Sequence, residues 1–245
     1  MPDTSLLSDK PIPPRERLIV PLDVPSADEA RDVVSRLGDA CHFYKLGLQL
    51  FMTGNYFPLV GWLREMEKQV FVDLKFFDVP QTVELAVRQL RGRGAVFATV
   101  HGNDEILRAA CRAKGTGDTK ILAVTVLTSL DQKDMEDLGF QTDIGSLVLS
   151  RARRALEIGC DGVISSGHES RALREHLGPK FLVVMPGIRP VANVDDQKRT
   201  VDVETAFRNG ADYIVVGRPI LNAPDPRAAA EDVQSRIARV FSSSA

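Results

Sequence analysis

Three charged residues at the end of an apolar segment are suited to proton transfer. Asp73, Lys75 and Asp78 lie in the stretch FVDLKFFDVP, residues 71–80. Alternate side chains of a β-strand share a face, so we expect Asp73 and Lys75 to be neighbours. Pro80 ends the strand, and Asp78 in the turn can fold back over the same spot or reach into a partner subunit. An ammonium group flanked by carboxylates can deliver a proton to a bound substrate.

The alternative to catalysis at this motif is a purely structural ion pair. A solvent-exposed pair between Asp and Lys contributes only about 0 to 1 kcal/mol to stability and implies no chemistry. The motif by itself leaves both interpretations open, because short patterns of common residues also arise by chance. The elements that position the motif must therefore decide between them.

The composition indicates a large apolar core without the electrostatic signature of nucleic acid binding. With 245 residues, of which 44% are hydrophobic, the chain can form two domains or a single barrel of the (β/α)8 size. The formal net charge is -2, and the 31 basic residues are dispersed along the chain. We therefore expect neither nucleic acid nor an anionic membrane as a partner.

The cysteine pattern and the lack of a signal peptide or a membrane-length apolar run favour a reducing compartment inside the cell. Cys41, Cys111 and Cys160 are odd in number and widely spaced, which makes a disulfide framework or a zinc site unexpected. Residues 1–15 lack the apolar core of a signal peptide, and no apolar run reaches the length that spans a membrane. We therefore expect a cytoplasmic protein.

Eight apolar runs alternate with segments of helical spacing along the chain. The runs cover residues 18–24, 43–51, 69–79, 96–102, 120–129, 162–167, 181–189 and 213–220. Near-continuous apolar strands joined by amphipathic helices are typical of a parallel sheet that is covered by helices. Eight such units favour a closed (β/α)8 TIM barrel. We expect an N-terminal arm over residues 1–17, a single barrel domain over 18–241 and a C-terminal tail over 242–245.

An open, doubly wound sheet is the alternative fold. Its dinucleotide-binding form carries G-x-G-x-x-G after the first strand, whereas residues 22–26 read LDVPS in this chain. The closed barrel is therefore favoured over the open sheet.

Polar or charged residues follow each predicted strand. In a barrel of this class the carboxyl ends of the strands form the active-site face, so we expect these residues to converge. In chain order they are Asp23, Lys45, Asp73 with Lys75 and Asp78, His101, Thr125 with Thr128 and Ser129, Ser165 with Ser166, Arg189, and Gly217 with Arg218. Both signs of charge recur among them.

A phosphate site is expected where the seventh and eighth strands end. Gly217 allows close approach of the backbone, and Arg218 offers a fork of donors that suits a phosphate group. The loops after these two strands frequently bind phosphate in this fold, and residues 186–189 (PGIR) end the seventh strand. Outside a barrel, Arg218 would be an ordinary surface arginine.

The candidate residues do not favour a metal site. His101, within residues 99–102 (TVHG), suits a hydrogen-bonded histidine lining the barrel mouth better than an acid, base or ligand role. A metal site would need several carboxylates or histidines to converge, and here Lys45 and Lys75 already neutralise the acids. We expect neither a metal nor a cofactor.

Several motifs together resemble the orotidine 5'-phosphate decarboxylase family. Residues 73–82 (DLKFFDVPQT) are similar to its signature. Further segments agree in order and spacing over residues 18–241, namely LD at 22–23, KLG at 45–47, VLTS at 126–129, PGIR at 186–189, DDQ at 195–197 and VGR at 216–218. Phe77 departs from the family pattern, because bacterial members usually carry His there. We interpret Phe77 as a packing change beside Asp78.

The resemblance implies cofactor-free decarboxylation of orotidine 5'-monophosphate to uridine 5'-monophosphate, the last step of de novo pyrimidine nucleotide synthesis. It implies that Lys75 protonates C6 of the pyrimidine, that Asp73 and Lys45 complete the charged network, and that Asp78 joins it from the other subunit of a homodimer. The other implied contacts are Asp23 and Lys45 on the ribose, Thr82 on the ribose across the dimer, Thr128 on the pyrimidine edge, and Arg189, Gln197, Gly217 and Arg218 at or near the phosphate.

Two alternatives to this function remain open from the sequence. Metal-dependent 3-keto-gulonate phosphate decarboxylases and hexulose phosphate synthases share a D-x-K-x-x-D strand, although the motifs at 80–82, 127–129 and 196–197 favour the nucleotide enzyme. The other alternative is a nucleotide-phosphate binder without activity. The retained charges of Asp73, Lys75 and Asp78 argue against it. In the decarboxylase, residues 189–200 are predicted to close over the substrate as a lid, with an ordinary exposed connection as the alternative.

Overall fold

Eight parallel strands close into a barrel in the computed structural model, which describes residues 6–189 and 200–242. The strands are β1 (Leu18–Pro21), β2 (Phe43–Leu46), β3 (Gln69–Phe76), β4 (Ala95–Val100), β5 (Lys120–Val124), β6 (Gly162–Ile164), β7 (Leu182–Met185) and β8 (Tyr213–Val215). Consecutive strands are neighbours, and β8 pairs with β1 to complete the ring. The predicted TIM barrel is confirmed, and the pairing of β8 with β1 excludes the open sheet.

Helices follow every strand and cover the outside of the barrel. They are α1 (Ala27–Leu37), α2 (Leu48–Phe51), α3 (Tyr56–Glu65), α4 (Pro80–Arg88), α5 (Asp104–Lys114), α6 (Gln132–Asp137), α7 (Ile144–Ile158), α8 (Ser170–Leu177), α9 (Val203–Arg208), α10 (Arg218–Leu221) and α11 (Pro226–Ser242). In the described part of the chain, no helix is both long enough and apolar enough to cross a bilayer.

The strands are shorter than the apolar runs that predicted them. Each run contains one strand, except that β4 begins one residue before its run, and the last residues of the runs leave the sheet and form the loops and short helices at the carboxyl end. The run over residues 43–51, for example, contains both β2 and α2. These departing residues shape the end of the barrel where a substrate can bind.

Apolar side chains from around the ring fill the barrel interior. The buried cluster consists of Ile19, Phe43, Phe71, Phe97, Leu122, Leu182, Val184, Tyr213 and Val215. The Phe97 ring centroid lies 5.1 Å from that of Phe43 and 5.1 Å from that of Tyr213, the latter in an edge-to-face contact. Because this interior is packed, a substrate can bind only at an end of the barrel.

A buried carboxylate ties the residues before β1 to the amino end of the barrel. Asp212 is fully buried. Its side chain accepts hydrogen bonds from Ser8, from Lys10 at 3.1 Å and from Arg174 at 2.8 Å. Removing one partner from a buried ion pair costs about 3 to 5 kcal/mol, so these contacts hold the described part of the predicted arm against the barrel. The boundaries of arm, barrel domain and tail remain a prediction.

Candidate active site

A pocket of about 480 Å³ opens at the carboxyl ends of the strands. Its lining residues are Pro21, Asp23, Lys45, Phe71, Asp73, Lys75, Val124, Val126, Leu127, Thr128, Ile164, Pro186, Gly187, Arg189, Val215, Gly217 and Arg218. The apolar members include side chains of the barrel interior, and the polar members lie near the carboxyl ends of six strands or in the loops that follow them. Most of the predicted site residues therefore meet at one place.

Four charged side chains with alternating signs form a row of ion pairs in this pocket. The Lys75 Nζ lies 3.0 Å from both carboxylate oxygens of Asp73. The Lys45 Nζ lies 3.2 Å from Asp73 Oδ2 and 3.4 Å from Asp23 Oδ1. The predicted contact between Asp73 and Lys75 is confirmed, and Asp73 is the carboxylate that both lysines share.

The predicted alternation, with Asp73 and Lys75 on the same face, is confirmed, but the backbone at Lys75 is not that of a regular strand. Lys75 has a φ of 47°, in the left-handed region that is uncommon for residues other than glycine. The pairing register between β3 and β4 shifts between Val72 and Phe76, so the ladder is irregular in this segment, as at a β-bulge. Such a conformation costs about 1 to 3 kcal/mol and persists only where surrounding contacts hold it.

Thr99 on β4 supplies the contacts that hold this irregular segment. Its hydroxyl accepts the Lys75 N–H at 2.9 Å and donates to Asp73 Oδ1 at 2.8 Å. One hydroxyl thus fixes both the backbone of the lysine and the carboxylate that binds the lysine's ammonium. Sequence reasoning missed Thr99, because threonine is common in strands. The available signal was its position near the carboxyl end of β4, two residues before His101.

Electrostatics keep the shared carboxylate and the buried lysine ionised. Burial would raise the pKa of Asp73, but attraction to Lys45 and Lys75 and the Thr99 hydrogen bond outweigh it, so the pKa is lowered. Burial would likewise lower the pKa of Lys45, but Asp73 and Asp23 outweigh it and the pKa is raised. The Asp73 contribution to stability is therefore present above its ordinary pKa and is lost as the pH falls through the lowered value.

The residues predicted for phosphate binding lie at the ends of β7 and β8. Arg189 is 8% exposed and donates to the Ile188 carbonyl at 3.1 Å, while Arg218 is exposed at the start of α10. A Cβ on Gly217 would lie 2.9 Å from Pro21 Cγ, so the close approach of β8 and β1 requires glycine at this position. Gln197 lies outside the described residues, as do residues 190–199 of the predicted lid.

Asp78 and Thr82 do not join the pocket of their own chain. Asp78 is exposed, and its Oδ1 accepts the N–H of Val79 at 2.6 Å. Thr82 is exposed on α4. Neither residue lines the pocket, so the possibility that Asp78 folds back over Lys75 is not what the structure shows.

His101 lies in a neighbouring cavity of about 430 Å³ rather than in the pocket. Its Nδ1 is buried and has no hydrogen-bond partner among the described residues, so the predicted hydrogen-bonded histidine is wrong at this atom. The Phe77 ring packs edge to face against it, with centroids 5.4 Å apart. Burial, followed by the charges of Arg151 and Lys75, lowers the pKa of His101. The packing interpretation of Phe77 agrees with this contact.

Four further polar residues from the strand ends also lie outside the pocket lining, namely Thr125, Ser129, Ser165 and Ser166. The Thr125 hydroxyl donates to the Ile164 carbonyl at 3.0 Å, and the Ser166 hydroxyl donates to Glu169. These two side chains therefore stabilise the loops. In the described part of the chain, no group of three or more His, Cys, Asp or Glu residues is arranged to hold a metal ion.

The chain matches a known family over most of its length. The match is to the family described as Orotidine 5'-phosphate decarboxylase / HUMPS, over residues 16–233. The orotidine 5'-phosphate decarboxylase of Methylococcus capsulatus is 62% identical over 239 residues, which cover 97% of this chain and 98% of that protein. The corresponding protein of Stenotrophomonas maltophilia is 46% identical over 235 residues, which cover 95% and 98%.

Solved structures share the fold over nearly the whole chain. The crystal structure of orotidine 5'-phosphate decarboxylase from Lactobacillus acidophilus superposes with a TM-score of 0.79 and 33% sequence identity, covering 91% of this chain and 99% of that one. An uncharacterized conserved protein from Geobacillus kaustophilus superposes with a TM-score of 0.76 and 31% identity, covering 90% and 99%. The similarity therefore extends to both sequence and architecture.

Proposed function

This chain belongs to the orotidine 5'-phosphate decarboxylase / HUMPS family, and we propose that Lys75 is the group that completes its reaction. The chain is an enzyme that decarboxylates orotidine 5'-monophosphate to uridine 5'-monophosphate in pyrimidine synthesis. The observation that supports the role of Lys75 is its ammonium group, which lines the pocket and lies 3.0 Å from Asp73. The predicted membership of this family is confirmed.

The proposed step needs one positive charge and one proton at the reacting carbon. When the bond from C6 to the carboxylate breaks, carbon dioxide leaves and the electron pair stays on C6. The Lys75 ammonium stabilises this carbanion and then transfers a proton to it, which leaves a neutral amine that regains its proton from solvent. Asp73 and Lys45 keep the ammonium in place, so its orientation is set before the reaction begins.

The rest of the pocket has groups suited to the nucleotide. We propose that Asp23 and Lys45 contact the ribose and that Thr128 contacts the pyrimidine edge. Arg189, Gly217 and Arg218 are proposed to surround the phosphate, since two guanidinium groups beside a close-packed backbone suit a dianion. Gln197, predicted to join them, lies outside the described residues.

We expect decarboxylation to proceed fully with a metal chelator present. In the proposed step the only electrophile is an ammonium group, so no Lewis acid is required. The measurement is the loss of ultraviolet absorbance of orotidine 5'-monophosphate, with and without chelator. Activity that disappears with chelator and returns with magnesium would contradict the proposal and point to the mechanism of the metal-dependent sugar-phosphate enzymes.

Replacing Arg218 with alanine is expected to raise KM about 10- to 100-fold with a smaller change in kcat, because a charge-assisted hydrogen bond contributes about 1.5 to 3 kcal/mol. The deletion removes donors to the phosphate, which is remote from the reacting carbon. Arg153→Ala is the matched control, because Arg153 is exposed on α7 and does not line the pocket. On a substrate without the phosphate, both variants should keep nearly the activity of the unchanged enzyme. A large loss of Arg218→Ala activity on that substrate would argue against phosphate binding.

We propose that the enzyme is a cytoplasmic homodimer in which Asp78 and Thr82 act in the partner's site. Three apolar side chains beside these residues are exposed, with Phe77 at 68%, Val79 at 62% and Leu85 at 51%. Contiguous exposed apolar surface often marks a protein–protein interface. A second copy that covers this surface would bury the apolar groups and would bring a carboxylate towards the Lys75 of its partner.

Mixed dimers of two inactive chains are expected to recover activity at about a quarter of the sites, because half of the randomly paired dimers contain one intact site. One chain carries Lys75→Ala and the other carries Asp78→Ala. The intact site combines Lys75 of one subunit with Asp78 of the other. The measurement is the turnover of separately purified variants before and after mixing under conditions that exchange subunits.

The control for this experiment mixes Lys75→Ala with the double variant Lys75→Ala, Asp78→Ala, which leaves every site without Lys75. No activity should appear in that mixture. If Asp78 acts within its own subunit, the first mixture also stays inactive, and the proposed arrangement of the dimer is wrong.

A further inference from the structure

Two cysteines that are 49 residues apart in the chain are in direct contact. Cys111 lies on α5, and Cys160 lies between α7 and β6. Their sulfur atoms are 3.6 Å apart. A disulfide bond requires about 2.0 Å, so a small movement is enough to form one. The spacing along the chain suggested no disulfide, but the fold brings these two residues together.

An ion pair beside the two cysteines holds their segments in register. The Lys114 Nζ lies 2.7 Å from the Asp161 Oδ2. The same oxygen of Asp161 accepts the N–H of Ile121 at 2.7 Å, which connects it to β5. Lys114 is one helical turn from Cys111, and Asp161 adjoins Cys160. The ion pair therefore keeps the two sulfur atoms close to one another.

The three cysteines of the chain differ in access and in acidity. Cys111 lines an open cleft of about 570 Å³ that also contains Arg108, Arg112 and Arg154. The hydrogen bond with Cys160 lowers the pKa of Cys111, an effect that burial opposes and the Lys114 charge assists. Cys160 is 6% exposed.

Cys41 provides the contrast. It is fully buried, its Sγ donates to the Phe43 carbonyl at 3.2 Å, and burial raises its pKa to about 11. It therefore has neither the access nor the thiolate that reaction with an oxidant requires.

We propose that Cys111 and Cys160 form a peroxide-reactive dithiol, with Cys111 as the attacking residue and Cys160 as the resolving residue. The Cys111 thiolate attacks one oxygen of the peroxide, the O–O bond breaks, and the departing hydroxide takes up a proton to leave as water. The Cys160 sulfur then attacks the Cys111 sulfenic acid, the S–O bond breaks, and a second water leaves with the Cys160 proton. Two thiols and one hydrogen peroxide give one disulfide and two waters, so two electrons pass from sulfur to oxygen.

This site is separate from the catalytic pocket. Cys160 precedes β6 and so lies at the amino end of the strands, whereas the pocket opens at their carboxyl ends. A disulfide there joins α5 to the start of β6 without touching a substrate-binding residue. The inference does not depend on the proposed mechanism, and oxidation is expected to leave the turnover of orotidine 5'-monophosphate unchanged.

The test treats the reduced, full-length enzyme with hydrogen peroxide and counts free thiols after denaturation. We expect loss of two of the three thiols, and peptide mass spectrometry should find Cys111 joined to Cys160 while Cys41 stays free. Dithiothreitol should restore all three thiols. Loss of Cys41, a disulfide between chains, or peroxide treatment that leaves Cys111 and Cys160 reduced would overturn the proposal.

Single variants separate the two roles. In Cys160→Ser, Cys111 should accumulate as a sulfenic acid that a dimedone probe labels, whereas in Cys111→Ser the probe should label neither remaining cysteine. Cys41→Ser is the matched control, and it should still form the disulfide. Equal labelling of Cys111→Ser and Cys160→Ser would show that Cys111 is not the attacking residue.

Discussion

The Lys75→Ala variant is expected to decarboxylate orotidine 5'-monophosphate about 10⁴-fold more slowly than the unchanged enzyme, or more slowly still. General acid catalysis alone contributes about 10²- to 10⁴-fold, and removing one electrostatic stabiliser of the transition state costs about 10²- to 10³-fold. Both contributions come from the same ammonium group, so both are lost together. The measurement is kcat, from the loss of ultraviolet absorbance at saturating substrate.

The fold of this variant should be preserved, because Asp73 keeps its contact with Lys45 at 3.2 Å and is not left as an unpaired buried charge. Circular dichroism and thermal unfolding check this expectation. Lys75→Arg is the matched variant, because it keeps a positive charge but holds its proton too tightly to transfer it. It should still bind uridine 5'-monophosphate and should also turn over slowly. A fully active Lys75→Ala enzyme would refute the assignment.

The second large effect is expected for Asp73→Asn, which should lower kcat by about 10²- to 10³-fold, since small displacements of a catalytic group cost about 10²-fold. Asparagine has nearly the same shape but no charge. The two lysines then lose their shared carboxylate and repel one another, so the Lys75 ammonium moves from its place. The substrate's phosphate contacts remain, so KM should change much less than kcat.

The pH dependence of Asp73→Asn distinguishes this electrostatic role from simple loss of structure. In the unchanged enzyme, Asp73 and Asp23 raise the pKa of Lys45 against the effect of burial. Without the Asp73 charge the pKa of Lys45 falls, so the alkaline limb of the kcat profile should move to lower pH. The acid limb caused by protonation of Asp73, expected below the ordinary carboxyl range because its pKa is lowered, should disappear.

Asp23→Asn provides the comparison for this variant. Asp23 also contacts Lys45, at 3.4 Å, but its side chain is 57% exposed. Its replacement should therefore have a smaller effect on kcat, because solvent screens the lost charge and Lys75 keeps its partner. If Asp23→Asn and Asp73→Asn lower kcat equally, the contact of Asp73 with both lysines is not what matters for catalysis.

Much of the fold could be predicted because its signals are local. Each apolar run is long enough to identify one strand, and the helices between the runs require parallel pairing, so eight units lead to a closed barrel. The ends of the strands were harder to predict than their number. Residues 48–51, for example, can continue a strand or form α2, and contacts with other elements select the helix. The same barrel rule predicted that Asp23, Lys45, Asp73 and Arg218 would share one pocket.

The residues that sequence reasoning missed or misplaced depend on contacts between distant segments. Thr99 holds Asp73 and the backbone of Lys75 from a different strand, so no pattern within residues 71–80 could indicate it. His101 was expected to be hydrogen bonded, but the contact with Phe77 gives its ring an apolar neighbour instead. In both cases the side chain's partner, rather than its position along the strand, determines its role.

Hydrophobic periodicity and short motifs are carried by neighbouring residues, so the amino-acid sequence was enough to establish the order of strands and helices, the family and the polar residues at the strand ends. The left-handed backbone at Lys75, the row of ion pairs centred on Asp73 and the separation of Asp78 from its own pocket became visible in the folded chain alone. The contact between Cys111 and Cys160 is of the same kind. These features arise when closure of the barrel brings distant segments within a few ångströms, and distances of that kind are set by packing rather than by local sequence.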